Sequence, residues 1–207
     1  MKIVFISDTH GQHEQLILPE GDMIIHAGDV SKRGGMAEME SFLNWYEGLP
    51  FKHKVFTVGN HDFLAENAPE IFKKLIPDNC VYLENSDVVI EGIRIWGSPI
   101  TPWFYDWAFN RQRGADIAKY WAKIPEGTDI LVTHGPPYDI LDRTTRGDLT
   151  GCEDLRAKIE AIKPKYHVFG HIHEAYGMKM VGDTTFINAS VLNEQYRLVN
   201  KPIVLDF

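Results

Sequence analysis

Five short segments of the chain carry the side chains that bind metal ions and move protons: Asp8-Thr9-His10, Gly28-Asp29, Gly59-Asn60-His61-Asp62, His134-Gly135 and Gly170-His171-Ile172-His173. Each alone reads as turn chemistry, because Gly, Asn and Asp are common turn residues and short motifs recur by chance. Together their types meet one demand. Hydrolysing a phosphate ester at neutral pH needs a hydroxide, and a bound divalent ion lowers the pKa of water from about 15.7 to about 7. Two ions roughly 3.5–4 Å apart hold that hydroxide and clamp the phosphate oxygens during in-line displacement. Such a pair needs one carboxylate able to bridge and a mixed set of imidazole and oxygen donors, which these segments contain.

Residues so far apart in sequence meet only if a framework delivers them. Each segment follows a short apolar run, at 2–7, 23–27, 55–58, 130–133 and 166–169, which predicts five buried strands with polar groups at their C-terminal ends. Ligand sites of α/β sheets assemble there. Helical spacing is carried by Met36, Met39, Leu43 and Tyr46, by Ile117, Trp121 and Ile124, and by Leu155, Ile159 and Ile162. Thr150 and Glu153 form a candidate capping box for the last of these, and Pro69 offers the start of a shorter helix carrying Ile71, Phe72 and Leu75. Further strands are expected at 81–83, 87–90, 93–96, 184–187 and 203–205, with turns at Glu91-Gly92 and Gly182-Asp183. The pattern predicts an α/β fold of two stacked mixed β-sheets flanked by helices. A length of 207 residues with 44% hydrophobic content fits one domain spanning 1–207.

The net charge of −8 argues against a polymeric nucleic acid as partner, since such polyanions are held by Lys and Arg. A small phosphorylated substrate stays open, because bound cations make a site locally positive. No run approaches the roughly 18 apolar residues of a membrane span, so no membrane partner is expected and the chain reads as cytoplasmic. The two cysteines, Cys80 and Cys152, read as buried free thiols.

The order Asp8-x-His10, Gly28-Asp29, Gly59-Asn60-His61-Asp62, His134-Gly135 and Gly170-His171-x-His173 resembles the calcineurin-like metallophosphoesterase superfamily. Residues 96–104, 133–137, 170–177 and 187–190 narrow the resemblance to its small metallophosphoesterase-domain-containing branch, whose members are similar to cyclic nucleotide phosphodiesterases. The resemblance implies a four-layer sandwich with a binuclear metal centre at the strand ends. One ion would lie among Asp8, His10, Asp29 and His173, the other among Asp29, Asn60, His134 and His171, with Asp29 as bridge. It implies that His61 is the general acid for the leaving oxygen, with Asp62 orienting or polarising it. Vertebrate members can carry Gly where this chain has His171; here the ligand set is complete. Mixed His, Asp and Asn donors suit Mn²⁺, Fe²⁺ or Zn²⁺.

Substrate contacts are expected from Asn60 and His61 and from the aromatic segment 103–109, where Trp103 and Phe104 could stack on a nucleobase. Arg143, with Arg146 beside it, could reach a phosphate. Asn188 reads equally as a turn residue and is left out of the ligand set. The resulting expectation is a dimetal-dependent phosphodiesterase hydrolysing small nucleotides, cyclic ones included, through in-line attack by a metal-bridging hydroxide. The alternatives are a phosphomonoesterase or protein phosphatase, and a non-enzymatic metal- or nucleotide-binding scaffold. A complete ligand set argues against the scaffold.

Overall fold

A computed structural model describes residues 1–207. The first part of the chain forms β1 (Lys2–Ile6), β2 (Met23–Ala27), α1 (Met36–Glu47), β3 (His53–Thr57), α2 (Phe63–Asn67), α3 (Pro69–Leu75) and β4 (Cys80–Tyr82). The middle forms β5 (Ser86–Ile90), β6 (Ile93–Ser98), β7 (Thr101–Pro102), β8 (Asn110–Arg111), α4 (Ala115–Trp121) and β9 (Ile130–Thr133). The last part forms α5 (Glu153–Ile162), β10 (Tyr166–Phe169), β11 (Gly177–Val181), β12 (Thr184–Asn188) and β13 (Ile203–Asp206).

The strands build a five-stranded sheet of order β13-β1-β2-β3-β4 and a six-stranded sheet of order β11-β12-β10-β9-β6-β5. Both are mixed, with antiparallel strands confined to edges: β13 in the first, β5 and β11 in the second. The near-continuous apolar runs follow from burial on both faces. On β1, Ile3 and Phe5 enter the core between the sheets with Ile95, Ile130, Val168 and Ile187. Val4 and Ile6 point the other way, into a core shared with Met39, Phe42 and Tyr46 of α1. On the second sheet Trp96, Leu131 and Phe169 likewise face Ile117 and Trp121 of α4 and Leu155 and Ile159 of α5. Alternation at period two therefore yields the expected four layers, helix, sheet, sheet and helix. The longest helix is α1, and no helix is long and apolar enough to cross a membrane.

Local chemistry differs from the sequence reading in places. Thr150 does not cap α5; its hydroxyl donates to the Asp142 carbonyl at 3.1 Å, and the N-cap is Cys152, whose thiol accepts from Leu155 N at 3.4 Å. The helix expected through Ile124 ends at Trp121, just ahead of Pro125. Helix α2 and strands β7, β8 and β11 were not foreseen: α2, β7 and β8 are too short to show a period, and β11 is an exposed edge. Glu91 and Gly92, both at positive φ, make the expected hairpin turn between β5 and β6.

Candidate metal centre

The loops after β1 and β2 continue their strands' pairing. Asp8 N donates to Gly28 O at 2.9 Å, His10 N to Asp29 O at 3.1 Å and Gly11 N to Val30 O at 3.0 Å. This zipper brings Asp8, His10 and Asp29 to one place. Asn60 arrives from the loop after β3, His134 from the end of β9, and His171 and His173 from the end of β10. Both sheets thus supply donor groups. Close approach is bought with glycine: a Cβ on Gly59 would lie 2.6 Å from Asp29 N and 2.7 Å from His134 Cε1, and one on Gly170 would run into the Asp8 carboxylate.

Seven donor groups converge. His173 Nε2 lies 3.4 Å from Asp8 Oδ1 and 3.3 Å from His10 Nε2, and His10 Nε2 lies 3.6 Å from Asp29 Oδ2. On the other side of Asp29, the same Oδ2 is 3.3 Å from His134 Nε2, which is 2.8 Å from Asn60 Oδ1. Asp8, His10 and His173 form one group able to hold a metal ion; Asp29, His134 and His171 form another. Asp29 contacts both sides, as a bridging carboxylate must.

Whether the residues fit a pair of ions is decided by the rings' far nitrogens. His10 Nδ1 sits 3.0 Å from Ser31 O, His134 Nδ1 3.0 Å from Ala27 O, and His173 Nδ1 3.0 Å from Asn193 O. A carbonyl can only accept, so each Nδ1 carries the proton and donates. Nε2 is then the atom that each ring turns to the cluster, the arrangement of metal-ligating histidines. The residues fit.

The electrostatics agree. Burial alone would raise both carboxyls, yet attraction from His173 and His134 at Asp8, and from His134, His61 and His10 at Asp29, outweighs it and holds both below the usual range. Burial pulls His134 and His173 down, but Asp29 and Asp8 lift them to about 9. Burial wins at His10, lowered to about 4, and at His171, lowered to about 3. Two buried carboxylates thus require cationic partners, a requirement divalent ions also meet.

His61 stands at the edge of this cluster. Its Nδ1 donates to Lys32 O at 2.7 Å, its Nε2 lies 3.9 Å from Asp29 Oδ2, and its ring stacks on Trp107 at 4.3 Å between centroids. Asp62 does not orient it, contrary to expectation. The buried Asp62 carboxylate accepts instead from Gly59 N at 2.8 Å, Val30 N at 3.2 Å, Ser31 N at 3.0 Å and Ser31 Oγ at 2.6 Å. It ties the Asn60 loop to the Asp29 loop, and burial with the nearby Asp29 charge pushes its carboxyl up to about 6.

A cleft of about 450 Å³ opens off the ligands, bordered by Asn60, His61, His171 and His173 and by Pro102, Trp103, Phe104, Trp107 and Tyr196. Trp103 and Phe104 lie where expected, Phe104 with its ring 5.1 Å from that of His171. Arg143 does not line this cleft. Its guanidinium folds onto Gly147 O at 2.8 Å beside a different depression, and the arginine at the cleft is Arg113. Three further residues shape the site. Ser190 Oγ donates to Asp8 Oδ2 at 2.5 Å, Asn188 donates to Ile172 O at 2.8 Å, and Tyr196 covers the rings of His10 and His173 at 5.0 and 5.2 Å. The Ile-Asn-Ala-Ser segment was a visible signal for two of them; nothing in the sequence marked Tyr196.

Comparison with known proteins agrees with this geometry. Residues 1–175 match the calcineurin-like phosphoesterase family, and the chain belongs to it. Membership makes it a metal-dependent phosphoric ester hydrolase. It is 41% identical over 99% of its length to metallophosphoesterase domain-containing protein 1 of Homo sapiens and of Mus musculus, spanning 70% of each. A UPF0046 protein of Caenorhabditis elegans is 35% identical over 99% of this chain and 74% of that protein. These relatives place it in the small metallophosphoesterase-domain branch. Among solved structures, phosphopantetheinyl hydrolase from Mycobacterium tuberculosis is similar with a TM-score of 0.65 at 15% identity, covering 94% of this chain and 90% of that one. The protein TT1561 of Thermus thermophilus gives 0.63 at 14%, covering 90% and 88%. At such identities the likeness is one of fold.

Proposed function

We propose that the protein is a phosphodiesterase acting on small nucleotides, cyclic ones included. The observation that carries this reading is the aromatic cleft opening directly off the ligand cluster, with His61 at its edge. Asp8, His10, Asp29 and His173 would hold one divalent ion, and Asp29, Asn60, His134 and His171 a second, with Mn²⁺, Fe²⁺ or Zn²⁺ suited to these donors. Such ions supply Lewis acidity toward phosphoryl oxygens and lower the pKa of a bound water. The protein's own groups do the rest. The Asn60 amide, at the floor of the cleft, contacts the phosphoryl group. His61 delivers a proton from Nε2 to the leaving oxygen, while the Lys32 carbonyl and the Trp107 ring fix its orientation. Trp103 and Phe104 offer faces on which a base can stack. Tyr196 limits access of bulk water to the rings beneath it.

The test is hydrolysis of 2′,3′-cyclic AMP, 3′,5′-cyclic AMP, bis(p-nitrophenyl) phosphate and p-nitrophenyl phosphate, with added Mn²⁺ and with chelator. Chelator-sensitive turnover of the diesters is expected. Good turnover of the monoester alone would move the assignment to a phosphatase. His61→Ala should retain metal binding while losing about 10²–10⁴ in turnover, as removal of a general acid does. Loss of metal instead would contradict that role.

A further inference from the structure

The walls of the cleft carry a charge pattern that bears on which esters can enter, granted the phosphoesterase reading above. Beyond the ligands and His61, three ionisable side chains with fixed charge line it: Arg113, Glu174 and Glu194. Arg113 is already engaged. It pairs with Glu153 and donates to Gly151 O at 2.7 Å and Thr150 O at 2.9 Å. Glu174 and Glu194 pair with no Lys or Arg. Glu174 accepts from Thr145 N at 2.8 Å, and Glu194 from Gln195 Nε2 at 2.7 Å.

Their placement is not incidental to the centre. Glu174 directly follows the ligand His173, and Glu194 directly follows Asn193, whose carbonyl holds His173 Nδ1 at 3.0 Å. Adjacent Cα atoms are about 3.8 Å apart, so the backbone of each glutamate is tied directly to the His173 ring or to its anchor. Of the unpaired cations nearby, Lys32 borders a separate depression beyond His61 and Tyr196, and Arg143 and Lys179 line another that Glu174 also borders; none of the three lines the aromatic cleft. A substrate arm lying in the aromatic cleft therefore meets rings and two hydrogen-bond-accepting anions, with no free cation.

We propose that Glu174 and Glu194 restrict the cleft to esters whose sole charge is the phosphoryl group being cleaved, the retained arm being an uncharged, donor-bearing group such as a nucleoside. A second phosphate on that arm would face both carboxylates, which are exposed, so the like charges repel most at low ionic strength. Sugar hydroxyls and exocyclic amines, by contrast, donate to them.

The experiment compares two chromogenic diesters on the Mn²⁺-loaded protein: thymidine 5′-(p-nitrophenyl phosphate) and the same compound bearing a 3′-phosphate. The proposal expects kcat/KM to favour the singly charged ester by on the order of tenfold at low salt, shrinking as ionic strength rises. In Glu174→Gln/Glu194→Gln, which keeps the accepting oxygens, the preference should fall to within about threefold, because the Coulomb repulsion is gone. Equal turnover of both esters by the unaltered protein, or an unchanged preference in the double variant, would overturn it. If neither diester is cleaved, the diesterase reading fails separately. The charge selection is then read by calorimetric binding of thymidine 5′-phosphate against thymidine 3′,5′-bisphosphate, where tighter binding of the bisphosphate would overturn it and weaker binding would uphold it.

Discussion

Ser190→Ala removes a single oxygen 182 residues away in sequence from the ligand it serves. The Ser190 hydroxyl donates to Asp8 Oδ2 at 2.5 Å, the backbone donor to that carboxylate is His171 N, 3.1 Å from both oxygens, and His173 Nε2 lies 3.4 Å from Oδ1. Both side chains are fully buried, so no water replaces the lost bond. A hydrogen bond to a charged group contributes about 1.5–3 kcal/mol, and the metal-free variant should lose stability by that amount in urea unfolding. Asp8 would also be freer to rotate away from His10 and His173. Removing a group that orients a metal ligand typically costs 10–100-fold in affinity, and calorimetric titration of Mn²⁺ or Zn²⁺ into the metal-free variant should show a drop of about that size. Stability within about 0.5 kcal/mol of the parent, the usual span for an uninvolved surface site, together with unchanged metal affinity, would refute the reasoning.

Three other perturbations probe different parts of the molecule. Gly59→Ala would push a methyl group against Asp29 and His134; overpacking of about 1–3 kcal/mol is expected, and elemental analysis should find one ion per chain in place of two. Metal binding should release protons. His134 and His173 titrate near 9 in the metal-free chain against an ordinary 6.5, so below pH 9 an ion must displace the protons they hold. Apparent metal affinity should climb from pH 6 to pH 9, and weakly buffered titrations at pH 7 should register nearly two protons; none released would contradict the shifts. His167, buried with Nε2 2.8 Å from Thr133 Oγ1 and Nδ1 unpartnered, is lowered by burial to about 3. Its unfolded form titrates near 6.5, so the neutral ring's stabilisation is complete above that pH and is lost as pH falls toward 3. At pH 5 the loss is about 2 kcal/mol at roughly 1.4 kcal/mol per unit. His167→Phe should therefore gain stability over the parent at pH 5 more than at pH 8, and an equal difference at both would count against the assignment.

Much of this was legible because the strands are buried on both faces. Apolar runs on β1, β2, β3, β9 and β10 end where the chain emerges, so polar residues after each run had to gather at one sheet end. What failed to show depends on distances that spacing does not encode. Asp62 sits beside His61 in sequence, but the turn after Gly59 aims its carboxylate backward at Ser31. Arg143 reads on paper as the cation within reach of a phosphate, and nothing in the sequence marks Arg113. Only the closure of the 142–152 segment, through Asp142 accepting from Gly151 N at 2.9 Å, decides that Arg143 turns away. Tyr196 reaches the histidines through a turn in which Asn193 caps Gln195 and Arg197, a tertiary placement with no periodic trace.

Four of the seven proposed ligands, Asp8, His10, Asp29 and His171, have positive φ values between 41° and 67°. For L residues that conformation carries roughly 1–2 kcal/mol of steric cost, and glycine carries none. The backbone is thus drawn as if for glycine at the very positions where the side chain matters most. His171→Gly would relieve that steric cost while removing the donor proposed for the second ion. Backbone strain and metal binding thus pull the choice of residue at 171 in opposite directions.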